Sequence, residues 1–349
     1  MTASLELSGR GTYRLRNIVS LLWSSLYVST RRLLRGPRLP GWNWALEVTV
    51  HFLRTQSRIA FDMPHIAEGR EYLDALVFHS PAVAKLSVEP VAGPVRGQWY
   101  LPPAERQVAT ALYLHGGGYA YYAKAHCNLI ALVAWAAKAR TFALDYRLIP
   151  EHPFPAQLED ALSAYEWLLA SGVDPRRLLL AGDSAGGNLV LSLLLTLRDR
   201  NRPLPALALC LCPWTDLTNA GASMRANEDS DWVEKRMADQ WAHWLCGGKD
   251  PRDPLLSPVM ADLRGLPPLY VQAGSAEILY DMIRAFVQQA QKQGCPILFD
   301  LWQHMPHDFQ AYGDVLPQSE EALARIEQIV DACVRRKPDD IAYPFQSQP

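Results

Sequence analysis

Arg177-Leu178-Leu179-Leu180-Ala181-Gly182-Asp183-Ser184-Ala185-Gly186-Gly187-Asn188 is the stretch from which the fold can be read. Leu178 to Ala181 is a short apolar run suited to a buried parallel strand, and the leucine-rich residues from Asn188 to Leu197 suit a buried helix. Ser184 therefore falls at a strand-to-helix junction. The small residues Gly182 and Gly186 on either side permit a strained backbone there and a close approach of strand to helix. A glycine-rich turn alone can be merely structural, but strand, turn chemistry and helix all agree on a nucleophile held out on a sharp turn. Upstream, Thr110 to Leu114 reads as another strand and His115-Gly116-Gly117-Gly118 as the loop leaving it. Acyl transfer needs a held nucleophile together with backbone N–H groups aimed at the oxygen that becomes negative, and these two clusters supply both. The expected donors are the N–H groups of Gly116, Gly117 and Ala185. His115 reads as a residue that holds this loop, since a general base must reach Ser184 and the loop belongs on the oxyanion side. Gly118, Tyr119 and Trp214 are candidate substrate-binding positions.

Working outward, apolar runs at 110–114, 141–144, 178–181, 206–211, 269–273 and 297–301 alternate with helical patterns at 128–139, 158–170, 188–198, 282–293 and 319–335. That alternation predicts an α/β fold, with 86–91 and 95–101 as an edge hairpin opening the sheet. Residues 1–80 and 214–262 stand outside it, dividing the chain into an N-terminal segment, a first core part (81–213), a second segment and a second core part (263–336). Residues 337–349 read as a loose polar tail. Trp214, Trp232, Trp241 and Trp244 crowd the second segment, where they can line an apolar acyl pocket or pack it.

These motifs resemble the hormone-sensitive-lipase-like branch of the α/β-hydrolases, which includes bacterial carboxylesterases and acetyl hydrolases. Besides the two glycine clusters, Asp145 to Ala156 with Glu159-Asp160-Ala161, Leu266-Pro267-Pro268, Gly274 to Glu277 and His304 to Phe309 look like that family's landmarks, over about residues 85–335. The resemblance implies an α/β-hydrolase fold with a mostly parallel sheet, flanking helices and a helical cap made from the two outlying segments. It also implies a serine carboxylesterase acting through an acyl-enzyme on short- to medium-chain esters. Order and chemistry require a base near the C-terminal end, oriented by a carboxylate. His307 matches the family's histidine, whereas His304 does not. At the acid position the chain departs from the common pattern: Ala276 stands where an aspartate is usual and cannot accept a hydrogen bond from imidazole. Glu277, one residue on, is the expected acid and Asp281 its rival, while Asp308 would point the wrong way. Asp183 and Asn188 read as local hydrogen-bonding residues, and Glu151, Glu159 and Asp160 as an ion network around Arg147. Loss of the aspartate keeps open a noncatalytic small-molecule receptor of the same fold, and the nucleophile motif alone also admits an amidase or transacylase.

The 349 residues carry a net charge of −2 and no long basic run, which argues against a nucleic-acid partner. The six cysteines show no metal spacing and read as free thiols of a reducing, cytoplasmic compartment. No metal or cofactor is expected. Arg14 and Arg16 precede the apolar run Ile18 to Val28, and Arg31, Arg32 and Arg35 follow it. The run is too short to span a bilayer and lacks a cleavage site, so it reads as an amphipathic cap helix, with peripheral membrane contact as a second reading. A homodimer is allowed, but no stretch marks an interface.

Overall fold

The computed structural model describes residues 4–79, 81 and 83–335; the tail from 337 lies outside them. The chain opens with β1 (Ser4–Leu7), α1 (Gly11–Arg35), α2 (Trp44–Phe61), α3 (Ile66–Leu73) and β2 (Leu76–His79), and β1 pairs antiparallel with β2. The main sheet follows as β3 (Ser87–Val91), β4 (Gly97–Leu101), β5 (Ala109–Leu114), β6 (Ala139–Leu144), β7 (Leu178–Asp183), β8 (Leu207–Leu211), β9 (Leu269–Gly274) and β10 (Ile297–Trp302). Its spatial order is β10-β9-β8-β7-β5-β6-β4-β3; the β3–β4 and β4–β6 pairs at one edge are antiparallel and the remaining pairs parallel. Residues of β5, β7, β8, β9 and β10 are buried on both faces, which explains their continuous apolar runs.

Crossover helices α4 (His126–Ala136), α5 (Ala156–Ala170), α6 (Ala185–Asp199) and α9 (Tyr280–Lys292), with α10 (Pro317–Arg335) after the last strand, supply the two covering layers. Between β8 and β9 lie the short α7 (Ser223–Ala226) and α8 (Lys235–Cys246). The sequence pattern carries the α4 helix to residue 139. In the structure Lys138, at φ 50°, turns the chain and Ala139 already belongs to β6.

The two segments outside the alternation lie against each other. Arg54 of α2 donates to the Asp231 carbonyl at 2.7 Å, Arg236 pairs with Asp62 at 2.6 Å, and Phe61 meets the Trp241 ring edge-on at 6.3 Å. Arg70 of α3 donates to the carbonyls of Ala120 and Ile149 and forms a two-pronged pair with Glu151. Glu151 thus serves Arg70 and not Arg147, whose partners are Glu159 and Asp160. No helix among the described residues is long and apolar enough to cross a membrane.

Candidate active site

β7 lies in the middle of the sheet, and the turn into α6 leaves Ser184 at φ 53°, a conformation rare for a residue with a side chain. Close contact enforces the glycines around it. A Cβ on Gly186 would lie 1.9 Å from the Leu114 carbonyl oxygen, and one on Gly182 would lie 2.6 Å from Gly186. Ser184 itself is held by its own backbone, its N–H donating to Leu211 and its carbonyl accepting from Asn188 and Trp214.

Beside the elbow runs the loop after β5. Gly117 and Gly118 take φ of 96° and 61°, and a Cβ on Gly116 would fall 2.0 Å from Asp183 Oδ2. Among the described residues, the N–H groups of Gly116, Gly117 and Ala185 make no backbone hydrogen bond outside regular elements. His115 is buried, its ring stacked between Tyr122 at 3.8 Å and Tyr146 at 4.1 Å, and its Nδ1 is 2.7 Å from the Gly116 carbonyl. Burial, with His126 nearby, holds its pKa well below the ordinary value, so it props the loop as a neutral ring. Tyr119 donates to Asn188 Oδ1 at 2.6 Å, while the Asn188 amide donates to the carbonyls of Trp214 and Leu256. Asp183 accepts from Tyr113 at 2.7 Å. Substituting Gly116 by alanine is expected to displace the loop and cost about a hundredfold in kcat; an unchanged kcat for a folded variant would remove this loop from the chemistry.

The loops after β9 and β10 bring the next pair together. Glu277, fully buried, places Oε2 2.7 Å from His307 Nδ1 and accepts the Gly274 N–H with Oε1 at 2.8 Å. Asp281 is elsewhere: from the first turn of α9 it accepts the Ser223 N–H at 2.8 Å and ties down α7. A Cβ on Gly274 would strike the Met305 carbonyl at 2.1 Å, so glycine is what lets the His307 loop cross the end of β9. That loop is clamped from outside by Trp232 Nε1 on the His307 carbonyl at 2.9 Å and Trp42 Nε1 on the His304 carbonyl at 2.5 Å.

Asp308 corrects the expectation that it points away from the base, for its Oδ2 lies 3.3 Å from His307 Nε2. With φ 49° the residue is left-handed, and this backbone turn carries its carboxylate back over the ring. The imidazole thus has a carboxylate at each nitrogen. Burial works against the imidazolium, but Asp308 and the hydrogen-bonded Glu277 outweigh it and hold the His307 pKa up at about 10. Burial, reinforced by the carboxylates of Asp183, Glu277 and Asp231 against the pull of His307, also holds the Asp308 carboxyl well above the usual range. Cys212, Glu277 and His307 bring donor atoms within 4.8 Å of one another. Both Glu277 oxygens are already committed to hydrogen bonds, and burial holds the Cys212 thiol far above its ordinary pKa, so this grouping is a poor metal cage.

An apolar cavity of about 310 Å³ reaches Asp308 and Trp232, the neighbours of His307, and is walled in part by Leu5, Leu53, Leu73 and Leu76 from the N-terminal segment. Trp214 is buried and hydrogen-bonded to Asn219, so it packs the site from behind; Trp241 underlies Gly118, where a Cβ would meet its ring at 2.3 Å.

The profile of the alpha/beta hydrolase fold family matches residues 111–311, a span that holds Ser184, Glu277, His307 and both glycine loops. An acetyl-hydrolase of Streptomyces hygroscopicus is 42% identical over 69% of this chain and 83% of its own length. An esterase from the bacterial hormone-sensitive lipase family superposes with a TM-score of 0.70 at 35% identity, over 90% of this chain and 98% of that one. The chain belongs to the hormone-sensitive-lipase-like α/β hydrolases. An esterase of Acinetobacter venetianus, 33% identical over 74% of this α/β hydrolase and 86% of its own length, agrees.

Proposed function

We propose that this α/β hydrolase cleaves short- to medium-chain carboxylic esters with Ser184 as nucleophile, His307 as base and Glu277 as the acid that orients it. That the chain is a carboxylic ester hydrolase rests on its kinship with esterases and acetyl hydrolases. The observation that carries the residue assignment is the buried 2.7 Å contact between Glu277 Oε2 and His307 Nδ1, reached from the loops after β9 and β10 while Ser184 tops β7. Glu277 fixes the tautomer with hydrogen on Nδ1, which leaves Nε2 to take the Ser184 hydroxyl proton as Oγ attacks the ester carbonyl carbon. The N–H groups of Gly116, Gly117 and Ala185 hold the oxyanion. The imidazolium then protonates the departing alcohol, and a water activated by the same nitrogen hydrolyses the acyl-enzyme. A cavity near the small end of the usual ligand range suits a short or medium chain. Turnover of p-nitrophenyl esters from acetate to palmitate tests this reading: rates peaking at palmitate would overturn the chain-length assignment. The receptor alternative takes its motive from Ala276, and Glu277 at the imidazole removes that motive.

Asp308 must yield Nε2 to Ser184 during turnover. Because the raised pKa values keep protons on the His307–Asp308 pair, and the base works only once Nε2 is free, kcat/KM is expected to climb with pH through neutrality into the alkaline range. Asp308→Asn removes one carboxylate that favours the imidazolium, so the rising limb of the pH profile should move to lower pH. An unmoved limb would show that Asp308 does not act on the base.

A further inference from the structure

In α1 the usual amphipathic logic is reversed. The face turned inward is mostly polar: Asn17 accepts from Tyr72 at 2.9 Å, Ser24 Oγ lies 2.8 Å from His51 Nδ1, and Ser20 is buried with them beside Val28. The opposite face carries Leu15, Val19, Leu22, Trp23, Leu26 and Leu33, spaced three, four and seven residues apart along one stripe and between 55% and 86% exposed. From Leu15 to Leu33 within this 25-residue helix the stripe extends about 27 Å. A scattered exposed leucine needs no explanation, but a continuous stripe of this length does.

Charge decides what covers it. Between Gly11 and Arg35 there is no Asp or Glu and there are five arginines. Arg31 and Arg32 are spent on the buried Glu47, at 3.3 and 2.5 Å. Arg14 and Arg16 are exposed on the two flanks of the stripe and Arg35 at its end. A second copy packed on this face would bring arginines against arginines, whereas an anionic lipid surface satisfies both the stripe and its flanks. Exposed Trp23, with Trp44 beside the same helix, belongs to the residue type that settles at the headgroup level.

We propose that α1 docks this hydrolase, lying in the plane of the interface, on an anionic lipid bilayer. The helix rests on α2, whose Leu53 walls the apolar cavity beside His307, so docking sets the cavity's N-terminal wall next to the membrane-bound element. Docking depends on this helix face alone, whichever residues prove catalytic.

The test is flotation of the full chain with vesicles of phosphatidylcholine alone and of phosphatidylcholine with phosphatidylglycerol. Co-flotation with the anionic vesicles is expected, weakening with salt. The Leu22→Glu/Leu26→Glu double variant should remain at the bottom of the gradient while keeping wild-type ester turnover and melting temperature. Arg14→Gln and Arg16→Gln should each weaken binding about fivefold. A wild-type chain that fails to float with anionic vesicles overturns the proposal, and equal binding to both vesicle types overturns its anionic character. A dimer in solution that the Leu22→Glu/Leu26→Glu variant dissociates, without vesicle binding, gives the face to a second copy instead.

Discussion

Ser184→Ala is expected to lower kcat toward p-nitrophenyl acetate by about a millionfold while leaving the fold and the melting temperature in place. The reason is local. The side chain leaves the elbow at φ 53° on a backbone whose shape is set by contacts among Gly182, Gly186 and the Leu114 carbonyl, none of which involves the hydroxyl. Under the proposed assignment alanine therefore removes the nucleophile and little else, and the residual rate measures what the rest of the proposed site contributes alone. Purified wild type and variant compared under saturating ester would settle the matter. A variant keeping even a tenth of the wild-type rate would refute Ser184 as nucleophile.

Glu277→Gln should cost about ten-thousandfold in kcat, with Asp281→Asn close to wild type. In the native site one Glu277 oxygen takes the Gly274 N–H and the other the His307 Nδ1–H. An amide can satisfy only one of them. If its oxygen keeps Gly274, its NH2 faces Nδ1, which must then become the acceptor, and the hydrogen moves to Nε2, the atom that has to receive the serine proton. Asp281→Asn alters only the anchor to the Ser223 N–H and should show its effect in stability, at about 1 kcal/mol. Steady-state kinetics together with thermal melts separate the two outcomes; equal losses of kcat in both variants would mean that neither carboxylate is the dedicated partner of the imidazole.

The parts of this site legible in the sequence are those where sterics leave one choice. Gly182, Gly186 and Gly116 are readable because any Cβ there would lie within 3 Å of another group. The parallel strands are readable from their apolar runs because both faces are buried. The family resemblance points to Glu277, next to the alanine that stands at the family's aspartate position, but leaves Asp281 as a rival; the two part company only in the structure, where Glu277 lies 2.7 Å from His307 Nδ1 and Asp281 binds the Ser223 N–H. What spacing does not disclose are contacts between residues distant in the chain. Trp42 reaches the His304 carbonyl across 262 positions, and Arg70 reaches the loop of Ala120 and Ile149 from α3. The position of Asp308 depends on a left-handed turn that an aspartate does not announce. The orientation of α1 is hidden for a similar reason: its pattern shows two faces, but which one turns inward depends on Tyr72 and His51, the partners that engage Asn17 and Ser24.

Seven of the seventeen residues around the cavity beside His307 come from β1, α2, α3 and β2 and the other ten from the start of α4 and the loop before it, Trp232 and the turn after His307, whereas Ser184, His307 and Glu277 are all carried by the sheet. Changes in the first eighty residues can therefore reshape part of this cavity while leaving untouched the sheet that carries Ser184, Glu277 and His307. A chimera that exchanges this segment with a relative's is expected to shift the chain-length preference only partway towards the donor's, because the rest of the cavity wall stays with the core.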